Sequence, residues 1–390
     1  VSPTRRPEGD YRSAQREGSP ASLRANPVRL AVVGTGGWAR QYHLPALTAL
    51  RREGVVEVAG LWNRTVAAAE DAARQFEVRR VYRTLDELLD DDRVDGYVVV
   101  VHSGAVLAVV SALLARPRPI LTEKPPGGSY CEALALADRV GVPNVVGFNR
   151  RYMPLNRRFL ALASTLPGAY FAGCRFYRHG RSHPRFIGET GIHAINFVEC
   201  LAGPIRSVRC QPQPRGVVGA AMSPTGRPEG EYRSAQRGGT AASPTGRPEG
   251  EYRSAQREAG PVTVAWLEFE AGMTGLIEFL PCSGSNVERY EIHGPASSLY
   301  LESPTPYCSD APGRIVVHEH GRPAAVIAGD DDAGGDLLAA GLIDEYRDFL
   351  AAIADPSHVT ASNFRNACNT MRIAEAIEAA VAAPGDLQGS

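Results

Sequence analysis

Lys124 lies in the run Ile120-Leu121-Thr122-Glu123-Lys124-Pro125-Pro126, downstream of the glycine-rich run Gly34-Thr35-Gly36-Gly37-Trp38-Ala39. Glycines between a strand and a helix let the backbone approach a dinucleotide pyrophosphate, whose negative charge the helix N-terminus then favours. A lysine at the end of a later strand of the same sheet can reach the reacting oxygen and stabilise charge developing there. Together the two runs point to a nicotinamide-dependent dehydrogenase.

The spacing Gly34-x-Gly36-x-x-Ala39 opens a helix directly after an apolar strand, the context that gives so short a motif its meaning. Alanine in third place still allows close helix-strand packing. Gly34, Gly36, Gly37, Trp38 and Ala39 are therefore candidate cofactor contacts, joined by His102, Glu123 and Lys124 at later strand ends. At the end of the second strand, where an acid would take a ribose 2′-hydroxyl, the chain has Asn63-Arg64-Thr65. A carboxylate there would repel a 2′-phosphate, whereas an amide, a guanidinium and a hydroxyl can bind one. NADP(H) is accordingly favoured, with NAD(H) as the alternative.

Glu189, His193 and Asn196 form a second group, spaced i, i+4 and i+7 on a segment otherwise rich in Ile, Ala, Phe and Val. A polar stripe on an apolar helix is costly unless it faces a cavity or finds partners. Read beside Lys124, His193 is expected to exchange the substrate proton, Lys124 to stabilise the alkoxide, and Glu189 to hold the imidazole. Asn149, Arg150, Arg151 and Tyr152 follow a strand end at the expected cleft, and with Asn196 they are candidate substrate contacts. No metal site is expected: Gly180 and Pro184 argue against a helix that would align His179 with His183, and His318 with His320 lacks the carboxylate or thiolate company that a site needs.

Positioning these groups requires a sheet whose strands end side by side. Apolar strands at 28–33, 55–62, 94–101, 119–122 and 144–148 alternate with helical patterns at 38–50, 66–76, 105–115 and 130–140. Continuous apolar strands between amphipathic helices specify a parallel, doubly wound sheet, placing a dinucleotide-binding domain at 27–148. After Asn149 the strands alternate in polarity, at 170–177, 207–211, 262–270, 274–280, 288–293, 298–302 and 314–318. With helices at 192–201, 337–354 and 363–382, they predict an α+β substrate and oligomerisation domain over 149–383, built on a large, mostly antiparallel open sheet.

The segment SPTGRPEGEYRSAQR occurs at 223–237 and again at 243–257, with a near-copy at 2–16. Its composition offers too little apolar surface to offset ordering entropy, so disorder is expected for a 1–26 arm and a 215–260 insertion. The 390 residues are 44% hydrophobic with a formal net charge of −1, which suits packed domains and gives no electrostatic footprint for nucleic acid. No apolar run is long enough for a membrane span, and the arginine-rich start lacks a signal-peptide core, so a cytoplasmic location is expected. The seven cysteines are scattered without a Cys-x-x-Cys and imply neither a disulfide framework nor zinc.

Gly34 to Ala39, Glu123-Lys124-Pro125, the run Gly147-Phe148-Asn149-Arg150-Arg151-Tyr152 and Gly191-Ile192-His193, in this order, resemble the successive motifs of the glucose-fructose oxidoreductase and inositol dehydrogenase (Gfo/Idh/MocA) family. The resemblance runs from about residue 28 to 383, apart from the repeats. It implies a Rossmann domain followed by an open-sheet domain that often packs in homo-oligomers. It also implies that Lys124 and His193 act on a hydroxyl or ketone of a sugar, sugar nucleotide or cyclitol. Two positions depart from the family pattern: Glu189 and Asn196 stand where aspartates are frequent, and Val101-His102-Ser103 replaces a Thr-Pro-Asn near the nicotinamide. Rival readings are an NAD-dependent glycosidase on the same scaffold and a cofactor-binding protein without catalysis.

Overall fold

The computed structural model describes residues 26–181, 183–212, 262–304, 312–329 and 336–382. The three repeat copies, and with them the expected disorder of the arm and the insertion, lie outside the described residues.

Six strands, β1 (Val28–Val33), β2 (Val56–Trp62), β3 (Val81–Tyr82), β4 (Gly96–Val99), β5 (Ile120–Glu123) and β6 (Asn144–Gly147), form one sheet in the order β3-β2-β1-β4-β5-β6. All its pairings are parallel, so the expected doubly wound sheet is present, with its switch point between β1 and β4. The fully apolar strands are explained by burial of both faces. Leu30 and Val32 of β1 enter one core, Ala31 and Val33 the other.

Each core also receives residues from far along the chain. The first takes Leu342, Tyr346 and Phe349 from the helix Leu342–Ala354; the second takes Phe364, Ala367 and Met371 from the helix Phe364–Ala382. The last helices thus cover the first sheet, and the two sheets share a helical layer.

The second sheet has eight strands: β7 (Phe171–Tyr177), β8 (Ile205–Pro212), β9 (Thr263–Phe269), β10 (Thr274–Leu280), β11 (Val287–His293), β12 (Ser297–Glu302), β13 (Arg314–Glu319) and β14 (Arg322–Ala328). Their order is β14-β13-β12-β11-β7-β10-β9-β8, antiparallel except where β10 meets β7. Alternate residues such as Ala172, Cys174 and Phe176 of β7 face a core shared with Phe197 and Val198 of the helix Ile192–Ala202 and with Ile373 and Ile377 of the last helix. Strand β14 was not foreseen, because its side chains are almost all exposed and carry no burial pattern. The helix Pro154–Ala163 was also missed. Among the described residues, no helix is long and apolar enough to cross a membrane.

Candidate active site

The carboxyl ends of β1, β4 and β5 meet at the switch point. Gly34 has φ +101°, and a Cβ there would lie 2.1 Å from the Val100 carbonyl oxygen, so the turn requires glycine at this position. Gly36 and Gly37 behave differently, since a Cβ on either would stand in open space. That opening sits where the chain turns into a helix and leaves backbone room for a dinucleotide pyrophosphate. The helix begins with a π-helical turn, Ala39–His43, before continuing as Leu44–Arg52.

Arg40 holds this turn in place. Its guanidinium donates to the Thr35 carbonyl at 3.0 Å and the Ala68 carbonyl at 2.8 Å, and it pairs with Asp71 at 2.5 Å. The Asn63 side-chain oxygen accepts from the Thr35 N–H at 3.4 Å and its amide donates to the Thr65 carbonyl at 3.1 Å. Asn63 therefore ties the end of β2 to the glycine turn, while Arg64 and Thr65 are exposed beside it. His102 caps the helix Ser103–Leu113, its Nδ1 accepting the Gly104 N–H at 3.2 Å.

Glu123 organises the interior of the site. One of its oxygens receives the Trp38 indole N–H and lies against His43 Nε2, both at 2.9 Å, and His43 Nδ1 meets the Tyr346 hydroxyl at 2.8 Å. The other oxygen accepts the Lys124 backbone N–H at 3.1 Å. Burial pushes the Glu123 carboxyl upward, but the hydrogen bond and charge of His43, with Lys124 and Trp38, outweigh it and hold the group below the ordinary carboxylate value. Glu345, one residue from Tyr346, is fully buried, and neither of its oxygens has a hydrogen-bond partner among the described residues. Burial, reinforced by the charges of Glu123 and Asp348, pushes it well above the ordinary value.

Lys124 follows β5, with a cis peptide bond to Pro125. Its ammonium donates to the backbone carbonyl of Glu189 at 2.8 Å, across the junction with the second half of the chain. Desolvation lowers its pKa, against the raising influence of Glu123 and Glu189 and with the repulsion of Arg150 and Arg181. Lys124 is also the only lysine among the chain's 42 lysine and arginine residues.

The expected role of Glu189 is corrected. The segment Ile187–Gly191 is a π-helical turn, so the i, i+4, i+7 stripe does not line up as on an α-helix. The Glu189 carboxylate turns instead to His183 and Arg185, each at 3.8 Å, and serves Lys124 through its main chain. His193 is held from the other side. Its Nε2 lies 3.4 Å from a guanidinium nitrogen of Arg150, while its Nδ1 has no hydrogen-bond partner among the described residues. Burial, followed by the charges of Arg150, Lys124 and Arg178, depresses the imidazole pKa well below its ordinary value.

Arg150 in turn donates to Glu288 on β11 at 2.8 and 3.3 Å and to the Asn149 side-chain oxygen at 2.9 Å; Arg178 also donates to Glu288. Glu288 was missed by sequence reasoning, although it shares the buried parity of Tyr290 and Ile292 on β11. A charge at such a position is a signal that a buried partner exists.

Three of the residues after β6 that were expected to face substrate have partners within the protein. Arg151 donates to Asn196 at 2.7 Å, and Asn196 donates to Thr370 of the last helix at 3.1 Å. Tyr152 donates to Asp348 at 2.8 Å. Asn149 donates to the Ala340 carbonyl at 2.8 Å, where Gly341, at φ +79°, passes too close for a Cβ. These side chains clamp the final helices against the cleft wall, because a polar group buried between packed layers must find a partner there.

Residues 28–147 match the family model described as "Oxidoreductase family, NAD-binding Rossmann fold" of the Gfo/Idh/MocA group. An uncharacterized oxidoreductase of Schizosaccharomyces pombe is 36% identical over 130 residues, covering 32% of this chain and 35% of that protein, so the chain spans about a third of that relative's length. Among solved structures, GenD2 from gentamicin A biosynthesis, in complex with NAD, has a TM-score of 0.66 at 20% identity, covering 93% of this chain and 96% of that one. KijD10, a 3-ketoreductase from Actinomadura kijaniata in complex with TDP-benzene and NADP, has a TM-score of 0.62 at 16% identity, covering 90% and 97%. Residues 28–147 thus match the Gfo/Idh/MocA oxidoreductase family model, and the described residues share the fold of these solved structures.

Proposed function

We propose that this protein is an NAD(P)-dependent dehydrogenase or reductase that interconverts a secondary alcohol and a ketone on a sugar or sugar nucleotide. The observation that carries this reading is the 2.8 Å contact of Lys124 with the Glu189 carbonyl. It brings a cation from the end of β5 onto the segment that leads into His193, beside the glycine cradle. The open space at Gly36 and Gly37 fits a bound dinucleotide, whose nicotinamide would supply or accept the hydride. The residues of the chain do the rest. Gly34 to Ala39 cradle the pyrophosphate, Lys124 stabilises charge on the reacting oxygen, and His193 completes the polar wall. The solved relative that takes TDP-benzene supports a nucleotide sugar as substrate.

The neutral and cationic groups at Asn63-Arg64-Thr65 favour NADP(H), since nothing at the end of β2 opposes a 2′-phosphate.

A panel of nucleoside-diphosphate sugars, their keto forms and free polyols, followed by nicotinamide absorbance, tests the reading. Turnover on one class is expected, with Lys124→Ala slower by about 10²- to 10³-fold and cofactor affinity retained. Tight NADPH binding without turnover across the panel would favour a non-catalytic protein. Turnover with no net cofactor change would favour a glycosidase.

A further inference from the structure

Two groups at the cleft could exchange the proton of the reacting oxygen, Lys124 and His193, and their surroundings differ. A histidine that serves as base must become an imidazolium, which needs a nearby carboxylate or an acceptor for its second N–H. The Glu189 carboxylate is turned away to His183 and Arg185. The group at His193 Nε2 is the Arg150 guanidinium, at 3.4 Å, and a guanidinium can only donate. Nε2 must then carry the lone pair and Nδ1 the proton. Glu288, with no exposed surface, fixes Arg150 through two hydrogen bonds, and Arg178 lies on the same carboxylate. The charged groups facing the ring are Arg150 from the turn after β6, Lys124 from the end of β5 and Arg178 from the end of β7. Glu288 on β11 is shared between the two arginines.

Lys124 has the opposite character. A guanidinium does not deprotonate in a protein, whereas an amine does, and more readily when desolvated among other cations. In a chain whose other long basic side chains are all arginine, the one amine stands at the end of β5 with a backbone carbonyl to hold it.

We propose that proton exchange at the reacting oxygen belongs to Lys124, and that Arg150, braced by Glu288, is a positioning residue that fixes His193 as a neutral ring protonated on Nδ1. In ketone reduction a bound reduced nicotinamide would supply the hydride for the new C–H bond and leave oxidised, the C=O π pair would move onto oxygen, and that oxygen would take a proton from the Lys124 ammonium. The resulting amine regains its proton from water. In alcohol oxidation the amine takes the hydroxyl proton and the hydride leaves carbon for the cofactor. His193 keeps its charge at zero throughout. The inference rests on the proposed dehydrogenase reading for its chemistry, but the protonation states it assigns belong to the protein alone.

The test is therefore made on the full chain without substrate. Lysine labelled with ¹³C at the ε carbon gives a single resonance from this sequence, provided any purification tag is lysine-free, and its pH titration reports Lys124 directly. Histidine labelled with ¹⁵N in the ring reports tautomer and charge, with His193→Gln identifying the signal. The expected result is a lysine titrating below the ordinary value of about 10.4, and a His193 that carries hydrogen on Nδ1 and stays neutral well below the ordinary histidine pKa. In Arg150→Met the ring should take up its proton at a higher pH than in the unmodified protein, with burial still holding it below the ordinary range, and Arg150→Lys should reverse that shift at least in part. A lysine titrating at about 10.4, a ring carrying hydrogen on Nε2, or an imidazolium forming near pH 6.5 in the unmodified protein overturns the assignment. These readings come from the unmodified chain, so they hold if Arg150→Met fails to fold. Absence of turnover with the expected protonation states would count against the dehydrogenase reading alone.

Discussion

The indole nitrogen of Trp38 donates to the carboxylate of Glu123 at 2.9 Å, joining the helix that opens at the glycine turn to the residue beside Lys124. The glycine turn and the end of β5 that carries Lys124 are thereby one hydrogen-bonded body. His43, one turn further along the same helix, adds a second contact to the same oxygen and reaches Tyr346 in a helix from the far end of the chain.

Trp38→Phe retains the ring and deletes the donor. A hydrogen bond to a charged acceptor contributes about 1.5–3 kcal/mol, so the variant should lose stability of that order. Urea denaturation measures it, and a loss below about 0.5 kcal/mol would show that the bond is replaced by solvent.

Asn63→Asp retains an acceptor for the Thr35 N–H, gives up the exposed bond to the Thr65 carbonyl and adds a negative charge at the end of β2. The turn should therefore keep its shape while a 2′-phosphate is repelled. Selectivity should move from NADP(H) toward NAD(H) by about 1–3 kcal/mol, read from the two dissociation constants. Unmodified protein that binds NADH as tightly as NADPH would refute the NADP(H) preference.

Glu345 binds its proton more tightly in the folded chain than in the unfolded one. Below the unfolded pKa both states are protonated and the full stability is present. As pH rises from there toward the folded pKa, the unfolded state ionises first and stability falls, by at most about 1.4 kcal/mol per pH unit. Glu345→Gln removes this dependence. The variant should match the unmodified protein near pH 4.5 and exceed it increasingly toward pH 7.5, as urea midpoints at several pH values would show. A gap that does not change with pH would mean that Glu345 is ionised in the folded protein.

Pro212 on β8 pairs with Thr263 on β9, so the two chain ends that flank residues 213–262 lie opposite each other in an antiparallel ladder. A short turn can bridge such a pair. Replacing 214–261 with a four-residue glycine-containing turn should leave the melting temperature within about 2 °C and the cofactor affinity unchanged. Loss of the folded state would show that the excised residues contribute to the core.

Much of the scaffold was legible because its causes are local. Apolar strands separated by amphipathic helices, glycines at the first turn and alternating strands after Asn149 each reflect a period or a backbone preference contained in a short window. The strand β14 and the helix Leu342–Ala354 show where this ends. The first has no buried face to leave a pattern, and the second is amphipathic by sequence but gives no hint that its apolar side closes the first sheet.

The amino-acid sequence by itself determined the glycine cradle, the place of Lys124 at a strand end and the presence of His193 on an apolar helix. Tertiary structure decided which groups those side chains meet. The Glu189 carboxylate, on a π-helical turn, meets His183 and Arg185, and the turn after β6 places Arg150, held by Glu288 of β11, beside the imidazole instead. Spacing along a helix predicts neighbours only while the pitch holds, whereas the charge state of a buried side chain depends on every element packed around it. The chemistry of His193 was therefore set by residues that its own segment does not contain.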